Sequence, residues 1–514
     1  MNRQSISVLC YLLLFPLLIT AQKNVSGNKP LDDSKLPEVF NGYIQNALQA
    51  WKTPGLSVVV VKDGNIVFKK AFGVQDLRNK IPYTTGTLST CASTTKAMTA
   101  VCMGMLVDEG KVKWSDVVSD ILPEFKLSNP YSTAEITVKD LFTHNTGLGN
   151  ADLLWVLGYP RSEIMHRMQF VPAAYSLRSS YIYQNLMYLV AGEVIKKVSG
   201  KTWDEFIGTR IFTPLGMNNT YADYSKIAAT AGKTTPHFKD MDEGDSIKAI
   251  SYLGDDNIGP AGGVWSCADD MSKWLQFLLD STELKGQRLL KPETFAELFK
   301  PQVIVPVPEF YPTIRLTMPH WTTYGLGWFQ HDYRGKMVQF HTGSIDGLIA
   351  IAGMIPAEHT AIYIFGNLDH SEIRHALMYK AFDLWCFHDN NNDWADDFLK
   401  LYTGLADTAK KREEEQVTKR VKDTHPSVPL QAYTGKYVSG IYGDAELVLK
   451  DDSLVVKLPG KISLSLRHWN YDTFRGWYNN WWWGKSFIQF TLDTQGKISG
   501  LSIDGILFNK ENPK

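Results

Sequence analysis

Blocks of apolar residues occur along this chain, and several of them have the composition of β-strands. Residues 56–61 and 66–72 are apolar, β-branched runs separated by Asp63 and Gly64, a pattern that predicts a β-hairpin. Residues 348–355 and 361–365 form two further apolar runs, with a turn predicted at 356–359. Strands are therefore expected both early in the chain and after residue 345.

Between these runs, apolar residues recur at helical spacing. One helix is predicted to begin at Ser93 and to stop at Gly110, and another to end at Gly200. Ser266 with Asp269 resembles a capping box, which predicts the start of a third helix. The pattern favours an α+β fold, in which an antiparallel sheet is flanked by helices and a mostly helical region, roughly 110–260, is inserted.

The pattern changes again towards the C-terminus. Residues 397–422 are charged and helix-prone, which predicts a solvated helical linker. From Tyr433 onward short alternating runs predict a small β-barrel. One face of its strands is expected to carry Leu447 and Leu449, and likewise Ile488, Phe490 and Leu492.

Three adjacent tryptophans, Trp481 to Trp483, lie in this C-terminal region. The favoured interpretation is barrel core with one ring at an edge. The alternatives are a ligand platform for sugars or peptides, and a barrel that covers the active-site cleft of its own or a neighbouring subunit.

The N-terminus has the pattern of a secretory signal. Arg3 precedes an apolar stretch from Val8 to Ile19 and a small-residue cleavage site near Ala21. We therefore expect a signal peptide at 1–21, a hydrolase domain at 22–395, a helical linker at 396–425 and a barrel at 426–514. A secreted or periplasmic location follows, with no stable membrane span after signal removal, although a retained anchor is the alternative.

Composition excludes some functions and leaves others open. A net charge of −1 over 514 residues provides no polybasic face for nucleic acid. The cysteines beyond Cys10 are too few for a disulfide scaffold and fit no zinc spacing, so they are expected to be buried hydrophobes. No metal site or cofactor is predicted, and a homo-oligomer is left open.

Ser93 and Lys96 form the first chemical motif. A serine at a helix start points its backbone N–H outward, and a lysine three residues later lies on the same helix face. A lysine held out of water can lose its proton near neutral pH and act as a base. The alternative is a helix-capping serine followed by a surface lysine.

Tyr183 and Asn185 form the second motif, just before the helix that ends at Gly200. A phenol beside an ammonium group is expected to have a lowered pKa and to relay a proton. The Asn185 carboxamide can bind a substrate amide. The alternative is a core tyrosine followed by a turn asparagine.

The third motif runs from His341 through Thr342 and Gly343 to Ser344. Gly343 is expected to let substrate approach the backbone, so that the N–H of Ser344 becomes a second oxyanion donor opposite that of Ser93. His341 is expected to supply substrate with a hydrogen bond or a charge that depends on its protonation.

These motifs, in this order, resemble the serine β-lactamase and penicillin-binding superfamily, in its class C-like esterase and D-aminopeptidase branch. Further segments are similar to that family across residues 38–368: 54–57, 136–148, 261–263 and 324–328. The resemblance implies that Ser93 is acylated, that Lys96 and Tyr183 activate it, and that Asn185, His341, Thr342, Gly343 and Ser344 contact substrate. The C-terminal region resembles the lipocalin-like barrel of some members.

One position departs from the family pattern. β-Lactamases and most transpeptidases carry lysine where this chain has His341, and a largely neutral histidine is less suited to hold a substrate carboxylate. The leading hypothesis is therefore a secreted serine hydrolase for a small amide or ester, such as a D-amino-acid peptide or a peptidoglycan fragment. The alternatives are a weak β-lactamase or DD-carboxypeptidase, and a non-catalytic protein that binds ligand with its aromatic-rich barrel.

Overall fold

The first part of the chain folds around an antiparallel sheet whose strands come from both ends of that part. The computed structural model describes residues 32–230, 232–240, 243–280, 283–284 and 287–511, so the predicted signal peptide lies outside the described residues. The sheet consists of β1 (Gly55–Lys62), β2 (Asn65–Gly73), β3 (Val303–Ile304), β4 (Thr322–Tyr324), β5 (Phe329–Tyr333), β6 (Lys336–Ile345), β7 (Leu348–Ile355) and β8 (Thr360–Gly366). Across the sheet their order is β2-β1-β8-β7-β6-β5-β4-β3, with antiparallel neighbours throughout.

The hairpin predicted from the pattern is confirmed. Asp63 and Gly64 join β1 to β2 with φ values of 50° and 75°, the positive values that tight hairpin turns require. Strand β1 is buried at seven of its eight positions because helices cover both faces of the sheet.

The longer helices are α1 (Leu36–Trp51), α2 (Thr95–Asp108), α3 (Asn185–Ser199), α4 (Ala268–Leu279), α5 (Ile373–Phe387) and α6 (Trp394–Thr418). Helix α4 packs on one face of the sheet, and α1 and α5 lie on the other. The shorter helices are Val118–Ile121, Pro130–Glu135, Leu153–Val156, Arg161–Met168, Trp203–Ile207, Thr213–Leu215, Gly259–Gly262, Pro292–Leu298, Ile314–Thr317 and Leu430–Tyr433. The predicted α+β class with its helical inserted region is confirmed.

Two details of the helix prediction are wrong. Helix α2 begins at Thr95, and Ser93 lies on the 3-10 turn Ala92–Thr94 before it. The capping box at Ser266 is absent, because the Ser266 hydroxyl bonds that of Thr220 (2.8 Å) and Ser266 belongs to a short strand pair. Asp269 instead forms an ion pair with a lysine of β2.

The C-terminal part is a closed antiparallel barrel of consecutive strands. These are β9 (Gly435–Ser439), β10 (Gly443–Lys450), β11 (Ser453–Leu458), β12 (Ile462–Asn470), β13 (Thr473–Tyr478), β14 (Lys485–Leu492), β15 (Ile498–Ile503) and β16 (Ile506–Lys510). Ile488 and Phe490 are buried as expected, but Leu492 is 37% exposed. Leu492 is the last residue of β14, and the register with β15 shifts between Thr491 and Leu492.

Helix α6 connects the two parts and is anchored in the first. Its first turn buries Trp394 and Phe398 against Tyr379, with ring centroids 5.6 and 5.9 Å from that of Tyr379. Only the later turns of α6 have the solvated character predicted for a linker. The predicted domain boundaries themselves stay predictions.

The barrel rests on the inserted region of the first part. Tyr159 donates a hydrogen bond to the carbonyl of Tyr442 (3.1 Å), and the Trp483 indole N–H donates to Asp346 (3.4 Å). The three tryptophans form a 3-10 turn outside the barrel wall, and none of them is fully buried, so the prediction that they form barrel core is wrong. They face the first part, where Trp481 makes an edge contact with Phe238 (5.9 Å between ring centroids).

Two further observations bear on the sequence-based expectations. The four cysteines within the described residues are buried and unpaired, as predicted. Within those same residues, none of the helices combines the length and the apolar character needed to cross a bilayer.

Candidate active site

Ser93 lies on a tight turn that other residues hold in place. Ala92, just before it, has a φ of 44°, a conformation that is unfavourable for a residue with a side chain. The Thr94 hydroxyl, just after it, bonds the carbonyl of Cys91 (2.9 Å) and the hydroxyl of Tyr363 (2.6 Å). Ser93 itself is partly exposed, so its hydroxyl is held in a fixed position and remains accessible.

The amine of Lys96 contacts the hydroxyl of Ser93 directly. Its Nζ lies 3.0 Å from Ser93 Oγ, 2.7 Å from Asn185 Oδ1 and 2.9 Å from the carbonyl oxygen of Ala261. Lys96 is 0% exposed, on a helix that is buried on almost every side. Aromatic rings complete its surroundings, since Nζ is 4.8 Å from the ring centroid of Tyr183 and 5.2 Å from that of Tyr188.

Burial lowers the pKa of Lys96 to about 7, and the nearby carboxylate of Asp152 opposes this shift. A lysine with this pKa is partly deprotonated at neutral pH. A neutral amine has a lone pair that can accept the proton of the Ser93 hydroxyl, which is the geometry that base catalysis requires.

Asp152 is a member of this site that the sequence did not indicate. The Asn185 amide Nδ2 donates to Asp152 Oδ2 (3.0 Å), so Asn185 bridges Lys96 and a carboxylate. Burial raises the pKa of Asp152. No motif surrounds Asp152 in the sequence, and its place in the site depends on the fold of the inserted region.

Tyr183 lies over the amine, but its ionisation differs from the prediction. Burial raises the pKa of Tyr183 well above 10, and the neighbouring Ser93 hydroxyl offsets this only in part. The expected lowering of its pKa by Lys96 is therefore wrong, because a neutral amine provides little charge to stabilise a phenolate. Tyr183 is a protonated phenol at neutral pH, and so a proton donor.

Strand β6 approaches the turn of Ser93 closely at Gly343. A Cβ built on Gly343 would lie 2.4 Å from the carbonyl oxygen of Cys91 and 3.0 Å from the backbone nitrogen of Ser93. The sequence assigned this glycine to the approach of substrate. The structure assigns it first to the approach of β6 to the nucleophile turn, which brings Ser344 next to Ser93.

A buried ion pair supports the end of β6. Arg374 Nη1 donates to the carbonyl of Gly343 (2.5 Å) and to the Ser344 hydroxyl (2.8 Å). Glu372 pairs with the same guanidinium at 2.8 Å, which holds the pKa of Glu372 far below its usual range against the effect of burial. The Thr342 hydroxyl bonds that of Tyr311. Arg374 is thus a positioning residue, and sequence reasoning missed it.

His341 occupies β6 as well, but both nitrogens of its ring contact protein. Nε2 lies 2.9 Å from the Tyr324 hydroxyl, and Nδ1 lies 2.6 Å from the carbonyl oxygen of Thr342. Burial and the nearby Lys96 lower the pKa of His341 to about 3. This lowered pKa favours a neutral His341 ring at physiological pH, and the contact of His341 with substrate stays a prediction.

His144 lies on a turn beside the phenol, and its contacts are those of a hydrogen-bonded turn residue. Its φ is 59°, and its Nδ1 accepts the backbone N–H of Gln184 (3.0 Å). Because Gln184 directly follows Tyr183, this bond helps to fix the loop that carries the phenol. Burial lowers the pKa of His144 well below 6.5, so its ring is neutral.

An antiparallel sheet flanked by helices, with a serine and a buried lysine one turn apart beside it, defines the fold class of serine β-lactamases and penicillin-binding proteins. The sequence comparison agrees. The family model described as Beta-lactamase matches residues 40–382, so the chain belongs to the β-lactamase family. A second model, a domain of unknown function (DUF3471), matches residues 419–512 and thus the barrel.

Named relatives and solved structures are similar to most of the chain. It is 28% identical over 457 residues to the unguisins hydrolase ungD of Aspergillus violaceofuscus, covering 82% of this chain and 78% of the relative. A candidate D-alanyl-D-alanine carboxypeptidase of Salmonella gallinarum is 26% identical over 413 residues (71% and 90%). The octameric penicillin-binding protein homologue from Pyrococcus abyssi has a TM-score of 0.61 at 20% identity, over 93% of this chain and 100% of that one. The chain is therefore a hydrolase of this family.

Proposed function

We propose that this hydrolase forms an acyl-enzyme at Ser93 on a small amide or ester and then releases the acyl group to water. One observation carries the proposal: the buried amine of Lys96 lies 3.0 Å from Ser93 Oγ, with a pKa of about 7. A serine hydroxyl is a weak nucleophile unless a base removes its proton, and Lys96 is positioned to do so.

The proposed acylation step has a definite sequence of proton transfers. Neutral Lys96 accepts the proton of Ser93 as Oγ attacks the substrate carbonyl, and the oxyanion forms near the backbone N–H groups of Ser93 and Ser344. Tyr183 gives its proton to the leaving group and regains one from Lys96. In the second half of the reaction, water attacks the acyl carbonyl and gives its proton to the same pair of Lys96 and Tyr183. The bond to Ser93 Oγ then breaks, Ser93 regains a proton from that pair, and the acyl group leaves as a free acid.

The substrate class is proposed from chemistry and from the relatives together. D-amino-acid peptides, peptidoglycan fragments and small esters all offer a carbonyl of suitable size. The Salmonella relative is named for a D-alanyl-D-alanine substrate, which favours an amide. The charge pattern of residues 1–21 supports export to the periplasm or the exterior.

Labelling with a fluorophosphonate, followed by mass spectrometry of the tryptic peptide, tests the nucleophile. We expect a single adduct on Ser93, its loss in Ser93→Ala, and its retention in Ser251→Ala, a matched control at an exposed serine. Absence of any adduct in the wild-type protein would contradict the proposal and favour a non-catalytic binding protein.

A second candidate function is weak β-lactam hydrolysis or DD-carboxypeptidase activity. Its support is the name of the Salmonella relative. Against it, position 341 offers a buried neutral ring where a substrate carboxylate would require a cation. Rates on nitrocefin, on a D-alanyl-D-alanine peptide, on D-aminoacyl anilides and on short p-nitrophenyl esters separate these activities.

A further inference from the structure

A cavity of about 540 Å³ lies between the barrel and the inserted region of the hydrolase domain. The hydrolase domain contributes Trp155, Asp255 and Asp346, and the barrel side contributes Lys461, Asn480 and Trp483. Pockets of this volume accommodate a group of the size of an amino acid or a dipeptide.

The cavity begins where strand β6 ends. Asp346 follows β6 directly, two residues after Ser344, and Ile345 also lines the cavity. The opposite wall comes from the helix Leu153–Val156, which follows Asp152 and so continues from the Asn185 bridge to Lys96. The cavity therefore adjoins the end of β6 that follows Ser344, and residues of the barrel form its facing wall.

A buried carboxylate without a hydrogen-bond partner lines this cavity. Asp255 is 1% exposed, and neither of its oxygens forms a hydrogen bond of ordinary geometry within the described residues. Burial raises the pKa of Asp255 to about 7, although the hydroxyl of Tyr252 is near enough to offset part of that shift. Asp346 accepts the Trp483 indole N–H, and burial raises the pKa of Asp346 although the indoles of Trp483 and Trp482 offset part of that rise.

These groups favour an organic cation over a metal ion. Lys461 lines the cavity too, but it is on the exposed barrel side. Within the described residues, no three histidine, cysteine or acidic side chains converge as metal ligands do. Carboxylates bordered by tryptophan rings, here Trp155 and Trp483, are instead the surroundings that bind ammonium groups.

The position of the cavity also indicates which part of the substrate enters it. The proposed proton donor Tyr183 lies beside His341, in the middle of β6, with 6.2 Å between their ring centroids. Ile345 is four positions after His341 on this strand, about 13 Å along the extended chain. If the leaving group lies beside Tyr183, the acyl group extends towards Asp346.

We propose that this cavity binds an ammonium group carried by the acyl part of the substrate, with Asp255 and Asp346 as the recognising carboxylates. This inference rests on the proposed acyl-enzyme at Ser93 and adds the substrate class: acyl groups with a cationic amine.

The test compares esters that differ only in charge. We compare hydrolysis of two p-nitrophenyl esters by the mature protein: the cationic 4-(trimethylammonio)butanoyl ester and its neutral carbon isostere, the 5,5-dimethylhexanoyl ester. Pairs with shorter and longer chains between the carbonyl and the branched end group complete the series. After each kcat/KM is corrected for the ester's rate of hydrolysis by hydroxide, we expect kcat/KM to favour the cationic ester by about 10- to 100-fold. This magnitude corresponds to the attraction between a cation and a nearby carboxylate at intermediate dielectric constant.

Variants assign the preference to the cavity. Asp255→Asn and Asp346→Asn are each expected to reduce it, and the double variant to bring it close to one. The matched control Asp397→Asn removes the same charge from an exposed position on α6 and should keep the preference. The rate of fluorophosphonate labelling at Ser93 checks that each variant retains an intact site.

The outcomes separate this inference from the proposed function. Equal kcat/KM for both esters in a wild-type protein that labels at Ser93 would overturn the ammonium site and leave the acyl-enzyme proposal intact. A preference that survives in the double variant would overturn it too. Failure of labelling in the wild-type protein would instead overturn the proposed function.

Discussion

Replacement of Asp152 by asparagine tests whether a carboxylate tunes the catalytic amine. Asn185 links the two groups, with 2.7 Å from Lys96 Nζ to its Oδ1 and 3.0 Å from its Nδ2 to Asp152. Asp152→Asn preserves the size of the side chain and removes its charge. Because the carboxylate stabilises the ammonium form of Lys96, its removal should lower the pKa of Lys96 below about 7.

The expected size of this shift follows from the distances. Two hydrogen bonds and the width of one amide place the charges roughly 7 Å apart, which at an effective dielectric constant of about 20 corresponds to about 2 kcal/mol. One pK unit is about 1.4 kcal/mol, so the pKa of Lys96 should fall by one to two units.

The assay is the rate of fluorophosphonate labelling at Ser93 between pH 4.5 and 9. The wild-type rate should rise with pH to a plateau, with a midpoint near 7, because only neutral Lys96 accepts the proton. The midpoint for Asp152→Asn should lie between pH 5 and 6, whereas Asp397→Asn should match the wild type. An unchanged midpoint, or one shifted to higher pH, would refute the proposed link between Asp152 and the base.

Three further predictions concern stability and local fit. Lys96→Met should abolish labelling, and its free energy of unfolding in urea melts should exceed that of the wild type most below pH 7, where the folded wild type buries a charge. This excess should shrink by about 1.4 kcal/mol per pH unit between pH 7 and 10.5, and an excess that stays constant with pH would contradict the lowered pKa of Lys96. Gly343→Ala should slow labelling at least 100-fold, since its Cβ would meet the turn of Ser93, whereas Gly404→Ala, with nothing within 4 Å, should label normally; equal rates would contradict the close approach. Arg374→Met should lower the free energy of unfolding by about 3–5 kcal/mol because it leaves the buried carboxylate of Glu372 without its guanidinium partner, and adding Glu372→Gln should recover part of the loss; no recovery would argue against the ion pair.

The sequence predicted the parts of the molecule that local spacing determines. The hairpin at Asp63 and Gly64 needs only a turn with positive φ between two apolar runs, and both are visible in the residues themselves. Ser93 and Lys96 are three residues apart, so a helical turn alone brings their side chains together. The structure brings Asn185 to the same amine, although its contact with substrate stays a prediction.

Other features depend on contacts between distant segments, which local patterns do not contain. Asp152 and Arg374 reach the site through tertiary packing, and neither lies in a recognisable motif. The lowered pKa of Tyr183 was predicted from the charge of Lys96 alone, whereas the low polarity of its surroundings dominates. Leu492 is exposed at the end of β14, where the pairing with β15 becomes irregular, and such an irregularity is not visible in the alternation of residues.

The way in which Trp483 and its neighbours close the cavity has a consequence for the diversification of such enzymes. The reactive serine and the two aspartates of the proposed ammonium site belong to the first part of the chain, whereas the barrel supplies the facing wall, including Trp483. Exchange of the barrel between relatives would therefore reshape one wall of this site while leaving the reactive serine undisturbed, a modular route to altered specificity that a one-domain hydrolase lacks.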